Sequence, residues 1–294
     1  MTAAGGEDRV RGFRFRRLEK PEEFRHAEEL QRGAPDAESA AAVPASLQRA
    51  LQDNGGLVVG AFADIYLAGC SVSTVGWDGA ALYYYSHATV VRPEYQNHHV
   101  GFRLMAFQRD EVLRLGLAEI RWVYDPLVSR AAWLSVRRLG ALPDRYLSHY
   151  YGQPQDEASR GLETDRVRVR WAIASPTVER RLSGVAPTRE EDLARWTSSS
   201  AIVETEAGES GLRQPTAVAD PSGASAHLEI PFDLATIREH EAVSLRRWRH
   251  AVRDAFRAAL DTGYAVDDFA VINAEHERRS FYLLSKAPAE PPTV

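Results

Sequence analysis

Residues 92–101 join a predicted strand to a predicted helix, and a junction of this kind can bind anions. The strand covers residues 81–91, and the helix begins near Val100. The first turn of a helix presents backbone N–H groups that have no partner within the helix, at the positive end of the helix dipole. Such a loop suits a phosphate or pyrophosphate group. Every helix start offers the same groups, so this feature alone does not identify the ligand.

The elements that would position this loop follow from the hydrophobic pattern. Alternating or continuous apolar runs predict strands, and apolar residues at steps of three and four predict helices. The predicted strands cover residues 12–18, 57–62, 65–75, 81–91, 118–124, 146–151 and 166–174, and the predicted helices cover 19–31, 45–52, 100–115 and 127–139. A strand, helix, strand order implies parallel neighbours, so the expected fold class is α/β with a mixed sheet.

The rest of the chain divides by composition. Residues 176–224 are rich in Ser, Thr, Glu, Gly and Pro and predict a linker or mobile excursion, with a short helix near 190–196. Residues 225–294 predict a smaller α/β unit, with a strand at 226–230, a long amphipathic helix at 234–260 and strands at 264–272 and 280–284. We therefore expect a domain at 1–175 and a C-terminal unit that packs on that domain or on a second subunit.

Composition excludes several classes of function. The chain has 294 residues, a net charge of −5 and a single cysteine, Cys70, which excludes a disulfide framework and a thiolate zinc site. His98 and His99 are adjacent and lack a further ligand pattern, so no metal is expected. No apolar run approaches the roughly 18 residues of a membrane span. Residues 1–17 lack the apolar segment of a secretory signal peptide, so secretion is not expected. We expect a cytoplasmic protein that binds neither membrane nor nucleic acid.

Several segments resemble the GNAT superfamily of N-acetyltransferases. The run V-x-P-E-Y-Q-x-x-x-V-G, residues 91–101, resembles the acetyl-CoA loop of that superfamily. The order of predicted elements is similar as well. The segments SHATVVRPEYQ, WVYDPLVSRAAW, RRLGALPDRY, HYYG and GLETDR look like a subgroup of predicted acetyltransferases that carry a C-terminal extension similar to residues 246–269.

The resemblance implies an acyl-CoA site and a GNAT-like acyl-CoA N-acyltransferase fold. Acetyl-CoA or another acyl-CoA would be the co-substrate. Its pantetheine arm would add to the backbone of Val90 and Val91 as an extra strand. Its pyrophosphate would be held by the loop residues Gln96, Asn97, His98, His99, Val100 and Gly101. His99 stands where the superfamily has its first loop glycine, a residue that lets backbone approach phosphate closely.

The resemblance also suggests three catalytic candidates. His87 could take a proton from the attacking amine, or it could be a structural histidine. Asp125 could orient or deprotonate the amine, or it could cap the helix that follows it. The tyrosine that often protonates the leaving thiolate falls at Val136, so Ser129, a nearby tyrosine or water would have to supply that proton.

Two further residues are candidates for binding the acceptor. Tyr85 could line the site or pack in the core. Arg130 could pair with a substrate carboxylate through its two-pronged guanidinium, or it could be solvated.

The main functional hypothesis is an acyltransferase that transfers an acyl group from acyl-CoA to a small-molecule amine by direct attack on the thioester. The first alternative is a non-catalytic acyl-CoA-binding or scaffold protein, which the identities of His99 and Val136 favour. The second is an acyltransferase that takes its acyl group from a carrier-protein thioester, for which the carrier protein would be a partner. A homodimer is a candidate assembly.

Overall fold

The computed structural model describes residues 8–10, 12–33, 42–152, 163–208, 211–240, 242–274 and 277–286. The chain divides into two compact units. Unit 1 holds residues 1–122 and 171–179, and unit 2 holds residues 123–170 and 180–294. This division interrupts the stretch 1–175 that the sequence predicts as one domain, because residues 123–170 belong to the same unit as the C-terminal part of the chain.

Unit 1 is built on a sheet with three helices. Its elements in chain order are β1 (Asp8–Val10), β2 (Phe13–Arg17), α1 (Pro21–Arg32), α2 (Ala45–Asp53), β3 (Leu57–Ala63), β4 (Tyr66–Trp77), β5 (Leu82–Val91), α3 (Val100–Arg114) and β6 (Glu119–Tyr124), whose last two residues belong to unit 2.

The sheet of unit 1 is mixed, with the strand order β1-β2-β3-β4-β5-β6. Neighbours from β1 to β5 are antiparallel, whereas β5 and β6 are parallel. Helix α3 connects these last two strands, because a parallel pair needs a crossover connection. The mixed α/β fold class predicted from the sequence is therefore confirmed.

The core of unit 1 includes the apolar face of α1. Phe24, Ala27 and Leu30 recur at three-residue steps on that helix and are buried. They form one apolar cluster with Val58 of β3, Val72 of β4 and neighbouring residues. These side chains pack α1 against β4. Strand β4 in turn pairs with β5 from Leu82 to Val91.

Unit 2 contains the remaining helices and strands. They are α4 (Ser129–Ala132), which continues as a π-helical stretch (Trp133–Arg138), β7 (Leu142–Leu147), β8 (Arg166–Ala172), α5 (Pro176–Leu182), α6 (Arg189–Ser198), β9 (Ser200–Ala201), β10 (Val203–Ala207), β11 (Arg213–Val218), β12 (Ser225–Ile230), α7 (Leu234–His240), α8 (Ala242–Asp261), β13 (Tyr264–Ala274) and β14 (Glu277–Lys286). The end of β8 and the start of α5 belong to unit 1.

In unit 2 the strand order of one sheet is β13-β14-β12-β9, β10 and β11 form a separate antiparallel pair, and β7 is antiparallel to β8. Helix α8 supplies the apolar core, with Trp248, Val252 and Phe256 all fully buried. The ring of Phe256 lies 4.9 Å from the ring of Tyr282 on β14, and Phe269 on β13 lies 5.0 Å from Tyr282. The amphipathic helix predicted at 234–260 is present as α7 and α8, and residue 241 lies outside the described residues.

The stretch predicted as a linker or mobile excursion, residues 176–224, contains α5, α6 and β9 to β11 instead. Its helices are short and its strands mostly polar, so the sequence shows little periodicity. Helix α6 begins with a capping box: the Glu191 amide donates to Thr188 Oγ1 over 3.2 Å, and the Thr188 amide donates to the Glu191 carboxylate over 2.6 Å.

The strand predicted at 146–151 is displaced toward the N-terminus. β7 ends at Leu147, and the chain turns at His149, whose φ of +53° is outside the strand region. The Asp165 carboxylate accepts the backbone N–H of His149 over 3.0 Å and stabilises this turn.

Among the helices of the described ranges, none has the length and apolar content needed to cross a bilayer.

Candidate functional site

Strand β5 has one fully paired edge and one edge that is paired only at its beginning. Its ladder with β4 runs from Leu82 to Val91. Its ladder with β6 consists of Tyr84 opposite Ile120 and Tyr85 opposite Arg121. Beyond Tyr85, residues 86–91 have no strand partner on the β6 side within the described residues. An open strand edge presents backbone donors and acceptors to which an extended ligand can add.

A β-bulge lies at the point where β5 loses its second partner. Val72 of β4 pairs with Ala88, but the next residue, Ser73, pairs with Ser86. His87 is therefore the extra residue and has no register partner on β4. A bulge bends the strand and increases its local twist, which accounts for the divergence of β5 from β6. His87 was a candidate from the sequence, but the hydrophobic pattern did not indicate the bulge.

His87 is half-buried, and its ring centroid lies 6.4 Å from that of Tyr85. Burial lowers the pKa of His87 below its ordinary value of 6.5. At neutral pH the imidazole is therefore uncharged, and a neutral imidazole has one nitrogen able to accept a proton. Tyr85 is also half-buried. The catalytic role of His87 and the binding role of Tyr85 remain predictions.

The paired end of β5 is held to β6 by a side-chain cluster. Arg121 of β6 stacks on the Tyr83 ring, with its guanidinium carbon 3.9 Å from the ring centre, and it pairs with Asp78 over 2.7 Å. The ring of Tyr83 covers Gly76, where any side chain would collide with it. These contacts stabilise the parallel pairing of Tyr84 and Tyr85 with β6. None of them involves residues 86–91.

The loop after β5 has the backbone expected of an anion-binding turn. Asn97 and His99 have positive φ values of 65° and 62°, and His99 is in the left-handed helical region. Glycine adopts this region without steric cost, so His99 keeps a glycine-like backbone at the superfamily's glycine position. The backbone N–H groups of Val100 and Gly101 donate to no acceptor in the described part of the chain.

The loop is tied to the strand by its own side chains. Gln96 Nε2 donates to the carbonyl oxygen of Val91 over 3.3 Å, and Nδ1 of the exposed His98 lies 2.9 Å from the carbonyl oxygen of Gln96. The side chain of Val90 packs against the apolar cluster of α1. The two valines thus lie on the open part of β5, as the resemblance implies, and the carbonyl of Val91 already accepts one hydrogen bond.

Asp125 belongs to unit 2, where it is buried in an ion pair. Each oxygen of its carboxylate lies 2.5 Å from a guanidinium nitrogen of Arg249 on α8. The amide of Leu127 donates to the same carboxylate over 2.9 Å, which is the helix-cap geometry considered from the sequence. The carboxylate is buried and both of its oxygens accept hydrogen bonds from the protein, so the geometry favours the structural alternative for Asp125.

Ser129 and Arg130 also belong to unit 2. Ser129 is buried and its Oγ lies 2.7 Å from the Oγ of Ser280 on β14. Arg130 is exposed. Val136 is fully buried in the π-helical stretch, and no acid can be supplied from its position. The predicted roles of Ser129 as a proton donor and of Arg130 as a substrate ligand remain predictions.

Sequence reasoning missed the charged residues that join the segments of the C-terminal half. Arg253 of α8 pairs with Asp165 over 2.8 Å, and Tyr146 donates to the same carboxylate over 2.7 Å. The guanidinium of Arg166 lies 5.1 Å from the Tyr151 ring. A signal was present, since Asp125, Asp165 and the arginines of α8 all lie in the segments that carry the resemblance. Residues 161 and 162 of GLETDR lie outside the described residues.

Comparison with known proteins finds no family model and no curated protein that matches the chain. Solved structures do match. They include the ribosomal-protein-S18-alanine N-acetyltransferase from Escherichia coli, with 18% identity and a TM-score of 0.45, covering 55% of this chain and 95% of that one. A GNAT family acetyltransferase from Elizabethkingia anophelis with acetyl-CoA bound has 14% identity and a TM-score of 0.41, covering 55% and 99%. An acetyltransferase of the GNAT family from Streptococcus pneumoniae has 14% identity and a TM-score of 0.44, covering 54% and 98%. The solved structures similar to this chain thus include acetyltransferases of the superfamily that its sequence segments resemble.

Proposed function

We propose that this chain is a cytoplasmic N-acyltransferase that transfers the acyl group of acetyl-CoA, or of another acyl-CoA, to a small-molecule amine. The observation that carries the proposal is the open edge of β5, which begins at the bulge of His87 and continues into the loop at residues 96–101. An acyl-CoA molecule carries an extended arm with two amides and a pyrophosphate. The open edge of β5 would bind the arm, and the loop would bind the pyrophosphate.

The open edge of β5 supports binding of the pantetheine arm. Residues 86–91 are half-buried or buried, and the ladder with β6 stops before them. The two amides of pantetheine can add to backbone N–H and C=O groups as a short strand would. A strand whose edge was fully paired would have no such groups to offer.

The loop supports binding of the pyrophosphate. The unused amides of Val100 and Gly101 lie in the first turn of α3, a fifteen-residue helix. The left-handed conformation of His99 directs the chain into that turn. Unused amides and the positive end of the helix dipole both favour an anion. In this interpretation the Cβ of His99 limits how closely phosphate approaches, and we expect modest affinity for CoA.

The proposed reaction needs a base and an oriented thioester. The amine nitrogen forms a bond to the acyl carbon while the carbon–sulfur bond breaks, and His87 accepts the proton that the nitrogen loses. Backbone N–H groups of the open edge would stabilise the oxyanion. CoA leaves as a thiolate, and since a thiol has an ordinary pKa of about 8.5, departure does not require the acid that is missing at Val136.

Calorimetry with CoA and with acetyl-CoA is the direct test. We expect binding of both at micromolar to millimolar concentration, and release of CoA from acetyl-CoA in the presence of an amine panel such as ethanolamine, spermidine and an alanine-terminated tripeptide. No binding at millimolar concentration would remove the proposal. Binding without turnover would favour the scaffold protein, and turnover with acetyl-pantetheine but not acetyl-CoA would favour a carrier-protein donor.

A charge placed in the loop tests the position of the site. Gly101→Glu brings a carboxylate to the amides that should bind pyrophosphate, and it should abolish CoA binding in a folded protein while acetyl-pantetheine still binds. Leu115→Glu adds the same charge beyond the other end of α3, at a residue that is 52% exposed, and should bind CoA normally. Equal CoA affinity in the two variants would show that the loop is not the donor site.

A further inference from the structure

A buried glutamine on α3 is hydrogen-bonded to both strands at the bulge. Gln108 is completely buried, and its Oε1 accepts hydrogen bonds from Ser71 Oγ over 3.1 Å and from Ser86 Oγ over 3.2 Å. Thr89 Oγ1 lies 3.1 Å from Ser71 Oγ and extends the chain of hydrogen bonds along β5. Ser71 is on β4 and the other two hydroxyls are on β5, so one amide oxygen joins two strands to α3.

The two β5 hydroxyls lie on either side of the bulge. Residues three apart on a regular strand point to opposite faces of the sheet, yet Ser86 and Thr89 both contact Met105, which is also on α3. Only the extra residue His87 makes this possible. The hydrogen bonds of Gln108 therefore stabilise the bulged register of β5 against the regular one.

This arrangement leaves a buried donor unsatisfied. Gln108 Nε2 has no acceptor among the described residues. Turning the amide over would give Nε2 two partners and leave Oε1 with none, so one end of the amide is unpaired in either orientation. A buried polar group without a partner lowers stability. An apolar residue would fill this position of α3 without that loss, so packing alone does not explain a glutamine here.

We propose that Gln108 is a positioning residue for acyl transfer: through Ser71 and Ser86 it keeps the bulge that presents His87 and opens the edge of β5. The inference rests on the proposed function, and it assigns no contact between Gln108 and the substrates.

The test removes Gln108 together with the two hydroxyls that donate to it. In Ser71→Ala/Ser86→Ala/Gln108→Met all three side chains become apolar, and Thr89 Oγ1 keeps its contact with the sulfur of Met105, so we expect a small effect on stability. We expect a folded chain with faster amide exchange at residues 87–90 and a shifted ring-proton resonance of His87 at fixed pH. With the best amine of the panel, kcat should fall by about tenfold to a hundredfold, as for a displaced catalytic group, while the KM for acetyl-CoA changes less.

A matched control is provided by a second buried glutamine. Gln48 on α2 is completely buried and also has one unpaired amide atom, but its side chain bonds to the carbonyl oxygen of Val43. Gln48→Met should leave kcat, amide exchange of β5 and the His87 resonance unchanged. The single variant Gln108→Met serves as a second test should the triple variant not fold.

Two outcomes would overturn the inference. An unaltered His87 resonance and unaltered exchange of β5 in the folded triple variant would overturn it. A loss of kcat that Gln48→Met reproduces would also overturn it, because the effect would then be general destabilisation. The resonance and exchange measurements need no ligand, so they decide the role of Gln108 in the bulge even if the wild-type chain proves not to bind CoA, which would be a failure of the proposed function alone.

Discussion

At the scale of single residues, burial decides what each candidate can do. His87 and Asp125 are both titratable and both were catalytic candidates, yet their surroundings differ. His87 has a ring neighbour and a pKa lowered by burial. Asp125 has both oxygens bonded to Arg249. A neutral imidazole can accept a proton from a substrate, whereas both oxygens of the Asp125 carboxylate are already engaged by a guanidinium.

The pH dependence of the reaction should report His87. Its pKa lies below 6.5 because of burial, so the rate should rise with pH on the acid side of that value and be level at neutral pH. His87→Ala should lose this limb and lower kcat by about 10² to 10⁴, as for a positioned general base. CoA affinity should not change. The exposed His26 provides the control: His26→Ala should keep the wild-type profile, and a limb that survives in His87→Ala would contradict the assignment.

His227 on β12 should make unit 2 sensitive to acid. Burial lowers its pKa from 6.5 to about 4, and its Nδ1 lies 2.8 Å from Ser199 Oγ. The unfolded chain takes up this proton below about pH 6.5 and the folded chain does not, so stability is lost as the pH falls from there, by about 3 kcal/mol near pH 4. His227→Gln should lose less stability than wild type between neutral and acidic pH, measured by urea unfolding. His26→Gln should not differ from wild type in this respect.

At the scale of elements, the loop between β5 and α3 contains two residues of positive φ, Asn97 and His99, and His99 leads directly into the helix. His99 occupies the left-handed region, with φ of 62°. Glycine adopts that region freely, whereas a β-branched residue is strained there. The neighbouring His98 is not among the residues of positive φ. Only His99 of these two adjacent histidines therefore requires a backbone conformation that most residue types disfavour.

Substitutions at the two histidines should separate conformation from chemistry. His99→Gly should raise CoA affinity, because it removes the Cβ beside the proposed phosphate site, and change stability by less than about 1 kcal/mol. His99→Val should destabilise the chain by about 1–2 kcal/mol and weaken CoA binding, because valine disfavours the left-handed region. His98→Val should destabilise the chain less than His99→Val, because His98 is not among the residues of positive φ. Calorimetry and urea unfolding of the three variants provide the comparison, and equal affinity in His99→Gly and His99→Val would contradict it.

At the scale of the whole molecule, the C-terminal part of the chain completes unit 2. Residues 123–170 belong to the same compact unit as residues 180–294. Arg249 and Arg253 of α8 each pair with a carboxylate of the earlier segment, Asp125 and Asp165. Both carboxylates are buried, and a buried charge without its partner is strongly destabilising. The C-terminal residues thus supply the guanidinium groups that contact these two carboxylates directly.

Removing Arg249 should expose this dependence. Arg249→Met removes the guanidinium that contacts both oxygens of the buried Asp125 carboxylate, and it should lower the free energy of unfolding by about 3–5 kcal/mol. Asp125→Asn/Arg249→Met should recover part of the loss, because the carboxylate that has lost its bidentate partner is then absent as well. Arg130→Met, at an exposed arginine, should change stability by less than about 0.5 kcal/mol. Urea unfolding measures all three, and additive losses in the double variant would contradict the pairing.

A chain that ends at residue 224 lacks α8 altogether, and we expect it to aggregate.

Local pattern in the sequence determined the elements that have strong periodicity. Helix α1, strands β3 to β6, the start of α3 and the strands of the C-terminal hairpin lie within a few residues of their predicted positions, because their apolar residues recur at the helix or strand period. The loop at residues 96–101 was proposed from a contiguous motif that resembles the superfamily, and its role remains a prediction. His87, Val90 and Val91 lie on β5 as expected, and their roles remain predictions too.

Tertiary structure alone decided the pairings between residues distant in sequence. The bulge at His87 depends on the register between β4 and β5, which no local pattern encodes. The hydrogen bonds of Gln108 join three elements, and the ion pair of Asp125 with Arg249 joins residues 124 positions apart. The segment 176–224 shows little periodicity, yet it folds into short elements because its neighbours in unit 2 supply the apolar contacts that it lacks by itself. Sequence patterns report which face of an element is apolar, and only the folded chain determines what that face meets.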